Sequence, residues 1–390
     1  MTDAPFIPYG RQDIRDEDVS AVDAVLRSDF LTQGPAIAAF EAALTNACEA
    51  PHAIAVSSAT AALHIACMAL GLGPGDHLWT SPISFVASAN CGLYCGASVD
   101  FVDIDPATAL MDVDDLERRL ITAKAEGRLP KVLVPVHFAG HSCDMARIGV
   151  LAKEYGFRVV EDASHCIGGH HDGQPIGSCA HSDICVFSFH PVKIVTSGEG
   201  GAALTRNPEL AARMNDLRTH GITREASRYQ QADDGPWYYE QQALGYNYRI
   251  TDIQAALGTS QMTRLSEIIT ARHSIAARYD QLLAELPLRW LERGPFGASG
   301  LHLYVVLLDD AAARRPVFDA MRADNIGVNV HYIPIHLQPF YRQMGFAPGR
   351  FPAAEDYYSR AISIPMFPGL TDGMQDRVVQ SLARALGTAG

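Results

Sequence analysis

The sequence predicts an α/β fold, with a mainly parallel sheet sandwiched by helices and a smaller C-terminal α/β domain. The chain has 390 residues, of which 48% are hydrophobic, and this is enough to bury a large core shared by two domains in close contact. Short apolar runs alternate with helical patterns in the first two thirds, as crossover connections between parallel strands require. Ligands on such sheets gather at the carboxyl ends of the strands. The residues that follow each strand are therefore the candidate site.

The expected elements follow from the hydrophobic patterns. Six apolar runs are typical of buried strands, at 53–56, 77–80, 99–104, 131–136, 157–161 and 183–189. After a turn-rich segment at 232–236, we expect a domain boundary that divides the chain into 1–245 and 246–390. The smaller domain is predicted to begin with one long helix over 251–279. Its further elements are expected to be strands at 301–308 and 326–333 and helices at 314–323 and 372–386.

Composition excludes several classes of function. The net charge of −13 argues against a nucleic-acid or acidic-lipid partner, although a few local cations still suffice for a small anion. No apolar run reaches transmembrane length, and residues 1–5 have neither the basic start nor the apolar core of a signal peptide. We therefore expect a cytoplasmic protein that does not bind membranes.

The cysteines do not indicate a disulfide framework. Most of the eight cysteines lie inside apolar segments. Their spacing does not match that of small disulfide-rich domains, so we expect them to be reduced residues of the core. His165, Cys166, His170 and His171 crowd together, with His181 nearby, but they lack the paired spacing of zinc sites. We expect no metal.

The most informative string is Ser188-Phe-His-Pro-Val-Lys193, which follows an apolar run and precedes a glycine turn at 197–201. Another strand-like run ends in Glu161-Asp162 and brings a carboxylate to the same sheet edge. Alone, Lys193 would usually be a solvated lysine and Asp162 a turn residue, with Glu161 as the alternative carboxylate. Together they fit pyridoxal phosphate (PLP), whose aldehyde bonds to a lysine and whose pyridine nitrogen is kept protonated by a carboxylate.

Three further segments fit the same cofactor. Ser57-Ser-Ala-Thr60 opens a helix after the first strand, and its free N–H groups and positive dipole end suit a phosphate, although alone it would be an ordinary N-cap. Phe85 follows the next strand and can lie against a planar ring, whereas a lone Phe is usually in the core. His165 lies one helical turn from Asp162 and can touch the same ring.

With these residues the chain resembles a known family, the fold type I PLP enzymes of the DegT/DnrJ/EryC1/StrS sugar aminotransferase group. The likeness covers nearly the whole chain, from Pro8-Tyr-Gly-Arg-Gln12 to His331-Tyr-Ile-Pro-Ile-His336. Among subfamilies it resembles the pseudaminic acid pathway aminotransferases, because of Ser188-Phe-His-Pro-Val-Lys193, Gly198-Glu-Gly-Gly201 and the string that begins at His331.

The resemblance implies a set of site residues. Lys193 would carry the cofactor and Asp162 would pair with the pyridine nitrogen. The other implied cofactor contacts are Ala59, Thr60 and Ser188 at the phosphate, Phe85 on the ring, His165 at the ring hydroxyl, and Asn247 at the phosphate of the partner's cofactor in a homodimer. The implied sugar-nucleotide contacts are Tyr9, Leu31, Thr32, His331 and Tyr332. Many relatives have Gly at the position of Ala59, Trp or Tyr at that of Phe85, and Gln at that of His165. These three contacts therefore depart from the family pattern.

The implied reaction moves an amino group from L-glutamate, which leaves as 2-oxoglutarate, to C4 of a UDP-linked 4-keto-6-deoxy-N-acetylhexosamine. An aminotransferase for another nucleotide-linked keto sugar (dTDP or GDP, C3 or C4) is the main alternative. A sugar 3-dehydratase of the same scaffold would have histidine in place of Lys193. A non-enzymatic sugar-nucleotide sensor would have no reason to keep Asp162 and Lys193 together, and no dedicated carboxylate-binding arginine of an amino acid aminotransferase or decarboxylase is identifiable.

Overall fold

A computed structural model describes residues 5–294 and 296–388. Most of the N-terminal segment that bears on the signal-peptide expectation, residues 1–4, lies outside the described residues. The strands, in chain order, are β1 (His52–Val56), β2 (His77–Thr80), β3 (Ser98–Phe101), β4 (Val132–Val134), β5 (Arg158–Asp162), β6 (His170–His171), β7 (Gln174–Pro175), β8 (Ile184–Ser188), β9 (Gly201–Thr205), β10 (Ile222–Thr223), β11 (Glu240–Gln241), β12 (Leu288–Trp290), β13 (Tyr304–Leu308) and β14 (Ala361–Ile364).

The helices surround these strands. In chain order they are α1 (Asp16–Leu26), α2 (Pro35–Cys48), α3 (Ala59–Ala69), α4 (Ala87–Tyr94), α5 (Val113–Glu126), α6 (Met145–Tyr155), α7 (Pro208–Arg218), α8 (Asp252–Met262), α9 (Leu265–Leu282), α10 (Arg314–Ala323), α11 (Pro339–Gln343), α12 (Pro352–Arg360) and α13 (Asp372–Ala385). Within the described residues, no helix is both long and apolar enough to cross a bilayer.

The main sheet of the described chain has seven strands in the order β1-β9-β8-β5-β4-β2-β3. Five of them, from β8 to β3, run parallel to one another, which confirms the predicted mainly parallel sheet. Strand β9 lies antiparallel to both neighbours and was not predicted, because its sequence, Gly-Ala-Ala-Leu-Thr, has little of the β-branched and aromatic content that marks strands. Its position beside β8 is important for the site described below.

The C-terminal region differs from the prediction at 326–333. This segment is not a strand of the small antiparallel sheet β12-β13-β14. Among the described residues it forms only two isolated bridges, one from Ile326 to Ile7 and one from Asn329 to Ser363, so its backbone pairs with two different segments in turn. A side chain at Gly327 would place its Cβ 2.8 Å from the Tyr9 nitrogen, so the segment crosses the N-terminal chain at close range.

The helix predicted over 251–279 is instead two helices, α8 and α9. The break lies at Arg264, whose φ of −107° and ψ of 11° are not helical. Its buried guanidinium lies 2.6 Å from an Asp18 carboxylate oxygen on α1. The residue at which the helix is interrupted therefore also forms a buried ion pair. Residues of α8 pack with Phe40 and Phe187 in a core on one face of the main sheet. The domain division at 245/246 stays a prediction.

Candidate active site

Strand β8 ends at the loop that carries Lys193. All five residues of β8 are buried, and the loop beyond it is closed where the Phe189 N–H donates to the Gly200 carbonyl over 2.9 Å. Inside this loop the Lys193 N–H donates to the His190 carbonyl, also over 2.9 Å. A tight turn therefore brings the lysine back to the strand end, where it lines a pocket together with Asp162 and Ser188.

The pocket changes the acidity of Lys193. Burial lowers the pKa of its ammonium from 10.5 to about 8, and the nearby Asp162 carboxylate opposes this shift. The neutral form of this amine is therefore far more populated near pH 7 than in an ordinary lysine, although the ammonium form still predominates. A neutral amine is the form that attacks an aldehyde or accepts a proton.

We expect the reactivity of Lys193 to rise with pH through about 8, because only its deprotonated form is nucleophilic. Labelling of the cofactor-free protein with formaldehyde and a mild reductant, followed by peptide analysis across a pH series, measures this directly. The exposed Lys153 is labelled in the same sample and serves as the internal reference. Labelling of Lys193 that begins to rise only near its ordinary value of 10.5 would contradict the assigned environment.

Strand β5 presents two adjacent carboxylates to opposite sides of the sheet. The Asp162 oxygens accept from the Ser88 and Ser164 hydroxyls, both over 2.6 Å, and its side chain lines the pocket with Lys193. Glu161 faces the other way and lies 2.7 Å from the His137 ring nitrogen. This is the alternation expected of a strand. Asp162, which the sequence favoured over Glu161, is the carboxylate in the pocket.

The start of helix α3 forms another wall of the pocket. Ser58 caps the helix and accepts from the Ala61 N–H over 3.2 Å, while the Ala59 and Thr60 N–H groups have no carbonyl partner within the helix. A side chain at Gly201 would place its Cβ 2.4 Å from the Ala59 nitrogen. Only glycine lets β9 pack this closely against the helix end. These N–H groups and the helix dipole suit a phosphate.

Imidazole rings and a phenol also line the pocket. The His165 Nε2 atom lies 3.2 Å from the Tyr332 hydroxyl, and the His165 and His302 ring centroids are 4.4 Å apart. Burial lowers the pKa of both histidines well below 6.5. Burial also lowers the pKa of His331 to about 3, and its Nδ1 atom lies 2.8 Å from the Ser363 hydroxyl. These rings are neutral near pH 7.

The pocket has a volume of about 610 Å³, within the range of small-molecule sites. It brings together most of the residues expected from the sequence: Tyr9, Ala59, Thr60, Phe85, Asp162, His165, Ser188, Lys193, His331 and Tyr332. Phe85 lies at the rim with 59% of its side chain exposed, and its ring centroid is 6.3 Å from that of Tyr332. Its stacking on a cofactor ring stays a prediction.

Three expected site residues lie outside this pocket. Leu31 is 47% exposed, and its carbonyl accepts from the Asp252 N–H over 2.9 Å. Thr32 forms an isolated bridge with Thr251. Asn247 is exposed and is not part of the lining. One subunit alone therefore does not bring these three side chains to Lys193.

Sequence reasoning missed two residues close to the predicted pair. Ser88 is fully buried and lies within 2.6 Å of both Asp162 and the Ser84 hydroxyl. The i, i+4 spacing of the two serines after β2 was an available signal. His302 lies in an apolar run that was interpreted as a buried strand, and nothing in that run indicated a site residue. Around the suspected metal-binding histidines, the described residues contain no group of three or more His, Cys, Asp or Glu placed to hold a metal.

The residues present fit PLP. The α3 N-terminus and Ser188 would hold the phosphate, Lys193 would bond to the aldehyde carbon, and Asp162 would face the ring nitrogen. The unpartnered, buried Nδ1 atoms of His165 and His302 leave a polar wall on the remaining side. When bound there, PLP acts as an electron sink for the carbon that gains or loses the amino group.

Comparison with known proteins also identifies a PLP-dependent aminotransferase. The DegT/DnrJ/EryC1/StrS aminotransferase family matches residues 12–383. The spore coat polysaccharide biosynthesis protein SpsC of Bacillus subtilis (strain 168) is 38% identical in an alignment of 387 positions, which covers 97% of this chain and 96% of that protein.

Solved structures agree over nearly the full length. Helicobacter pylori PseC, an aminotransferase involved in the biosynthesis of pseudoaminic acid, superposes with a TM-score of 0.90 at 29% identity, covering 98% of this chain and 100% of that one. The PMP form of the putative sugar aminotransferase Spr1654 of Streptococcus pneumoniae gives 0.89 at 30% identity, with 98% and 99% covered. The same protein is also known in a PLP form. The chain belongs to the DegT/DnrJ/EryC1/StrS aminotransferase family and is a PLP-dependent sugar aminotransferase.

Proposed function

We propose that the enzyme transfers the amino group of L-glutamate to C4 of a UDP-linked 4-keto-6-deoxy-N-acetylhexosamine, in the synthesis of a pseudaminic acid precursor. The observation that carries this proposal is the match to PseC over the whole of that chain. Two segments line the pocket walls, the Ser188 to Lys193 loop and the segment that begins at His331. These walls bound the space in which a sugar must lie.

The pocket chemistry supports a sugar rather than an amino acid as acceptor. Its lining includes several neutral hydrogen-bonding groups, among them Tyr9, Asn329, His331 and Gln338. Hydroxyl, amide and imidazole groups of this kind pair with sugar hydroxyls and an acetamido group. With PLP bound, Lys193 Nζ, whose pKa is lowered, would take and return the proton of the carbon that carries nitrogen, and Asp162 would keep the ring nitrogen protonated.

The charge of the pocket supports a homodimer with composite sites. Cofactor phosphate, sugar-nucleotide diphosphate and glutamate carboxylates are all anionic. In the described lining, Lys193 is the one lysine and arginine is absent. Asn247 and Arg249 lie in a polar segment outside their own pocket. Delivery of this segment to a second subunit would supply the missing positive charge and a phosphate ligand.

The substrate prediction is amination at C4 of the UDP sugar in preference to a dTDP-linked 3-keto sugar. Since the cofactor carbon is fixed by the lysine and phosphate contacts, binding of the distant nucleotide sets which sugar carbon faces the amine. Incubation with each keto sugar and glutamate, followed by NMR of the product, identifies the aminated carbon. Amination at C3, or preference for the dTDP sugar, would contradict the substrate while leaving the aminotransferase assignment intact.

SpsC favours a second candidate, an aminotransferase for a different nucleotide-linked keto sugar. Its identity of 38% exceeds the 29% shared with PseC, and its name places it in spore coat polysaccharide synthesis. The same panel of keto sugars decides between the two candidates. A dTDP- or GDP-linked 4-keto sugar without the acetamido group as the best acceptor would favour the second.

Subunit mixing tests the composite site. We expect Lys193→Ala and Asn247→Ala homodimers each to be nearly inactive, and their mixture to regain activity of about a quarter of the wild-type value. Random mixing makes half of the dimers hybrid, and each hybrid contains one intact site. Sedimentation gives the oligomeric state in the same samples. An active monomer, or a mixture as inactive as its components, would contradict the proposal.

A further inference from the structure

Residues 245–249, here called the arm, are clamped along their whole length. The Tyr246 N–H donates to the Leu217 carbonyl and the Tyr248 N–H to the Arg218 carbonyl, over 2.8 and 3.0 Å. On the other side, the Tyr248 carbonyl accepts from the Ser57 N–H over 2.8 Å. The arm is therefore held between the end of β1 and the end of α7, and its backbone direction is fixed.

The two tyrosines of the arm stack on each other and surround a buried histidine. The Tyr246 and Tyr248 rings are 4.9 Å apart with an interplanar angle of 12°. His64, on helix α3 and only 4% exposed, has its ring centroid 4.8 Å from that of Tyr246, and its Nδ1 atom lies 3.1 Å from the Tyr248 hydroxyl. This is the direct side-chain hydrogen bond between α3 and the arm.

The proton of His64 can be assigned from its surroundings. Burial lowers the pKa of His64, so the ring is neutral near pH 7 and carries one N–H. Its Nε2 atom is buried with no hydrogen-bond partner among the described residues. An orphaned buried N–H group is rarer than an unpaired acceptor. The proton therefore lies on Nδ1, which donates to the Tyr248 oxygen.

Burial of the two tyrosines against His64 places the Asn247 side chain on the opposite face of the arm. In an extended segment successive side chains alternate between two faces. Tyr246 and Tyr248 are half-buried against His64, whereas Asn247 between them is exposed. Asn247 therefore points away from the face that the two tyrosines bury against His64. Its direction depends on the contact between the tyrosines and His64.

We propose that His64 is a positioning residue that, through its hydrogen bond to Tyr248, holds the arm so that Asn247 reaches the cofactor phosphate of the partner subunit. This rests on the proposed homodimer. Helix α3 begins with Ala59 and Thr60, at the phosphate-binding end of the subunit's own pocket. Through His64 and the arm, the same helix would also support the site of the partner subunit. Loss of the His64 contact should therefore weaken the cofactor site in the opposite subunit.

Two variants of the holoenzyme separate the hydrogen bond from simple packing. His64→Leu removes the donor, and we expect about tenfold faster cofactor release, the scale set by loss of one buried hydrogen bond. His64→Asn keeps an N–H group near the Nδ1 position and should restore most of the slow release. Tyr94→Phe is the matched control, because Tyr94 lies in the same cluster, 5.4 Å from the His64 ring, without taking part in the bond.

Amide exchange in the cofactor-free protein gives a readout independent of activity. We expect the arm to exchange faster in His64→Leu and unchanged in Tyr94→Phe. Unchanged exchange in His64→Leu, or equal release rates for the Leu and Asn variants, would overturn the positioning role.

Hybrid dimers locate the effect, with Lys193→Ala marking the subunit that cannot bind the cofactor covalently. When His64→Leu is placed in the marked subunit, the single live site belongs to its partner, and release should be fast. When it is placed in the unmarked subunit, release should be as slow as in the wild type. Release that is fast only in the second arrangement, or alike in both, overturns the inference. Failure of the Lys193 and Asn247 mixture to regain activity would instead overturn the homodimeric site itself.

Discussion

Replacement of Lys193 with alanine is expected to lower turnover by about 10⁴-fold or more. The change removes the group for covalent attachment of the cofactor and the proton acceptor with a pKa lowered to about 8. Steady-state transfer from glutamate, together with the visible absorbance of the bound cofactor, measures both losses. Lys153→Ala, at an exposed position on α6, is the matched control and should retain full activity.

The fold of this variant should survive. Since Lys193 has a folded-state pKa of about 8 and an ordinary value of 10.5, the unfolded chain binds more protons between these values, and stability rises with pH across that window. Below pH 8 the unfavourable burial of the ammonium is fully present. Alanine removes it, so the melting temperature at pH 7 should not fall. Substantial residual turnover in well-folded Lys193→Ala would contradict the assignment.

Asp162→Asn is expected to slow the half-reaction with glutamate by about 10²- to 10³-fold, with little change in affinity for the sugar nucleotide. The amide keeps the shape and can still pair with the Ser88 and Ser164 hydroxyls. It cannot hold a proton on the cofactor's ring nitrogen. It also removes the charge that raises the pKa of Lys193, so the lysine should titrate at still lower pH. Single-turnover absorbance measures the rate.

Glu161→Gln is the informative comparison. This buried carboxylate lies 2.7 Å from His137 on the other face of the sheet, so its loss should cost stability of about 3 kcal/mol while the folded enzyme keeps most of its single-turnover rate. The reverse pattern, a slow Glu161 variant and a fast Asp162 variant, would assign the role to Glu161.

The sequence was sufficient for the elements that depend on local pattern. Continuous apolar runs predicted the parallel strands β2, β3, β4, β5 and β8 within a few residues. Strand β9 and the irregular segment at 326–333 depend on tertiary partners instead. Gly201 is required by the approach of α3, and Ile326 pairs with Ile7 from the far end of the chain. Long-range contacts of this kind leave little local signal.

The residues of the candidate site also fall into those that a local pattern predicts and those that depend on tertiary or subunit contacts. Asp162 ends strand β5 and Lys193 follows the adjacent parallel strand β8, so their meeting at one sheet edge could be predicted. The spacing to His165 favoured Asp162 over Glu161, and the alternation of side chains along β5 is the physical reason that only Asp162 lines the pocket. Leu31, Thr32 and Asn247 lie outside the pocket of their own subunit, and no pattern within one chain tells which subunit a side chain serves.

Borohydride reduction of the holoenzyme followed by peptide mapping tests the central claim most directly. The chain contains only four lysines, at 124, 131, 153 and 193, so the cofactor label can be assigned without ambiguity. The account predicts the label on Lys193 alone, and its loss from the protein when glutamate is added before reduction, because the cofactor then carries the amino group. A label on Lys124, Lys131 or Lys153, or a label on Lys193 that glutamate does not diminish, would contradict it.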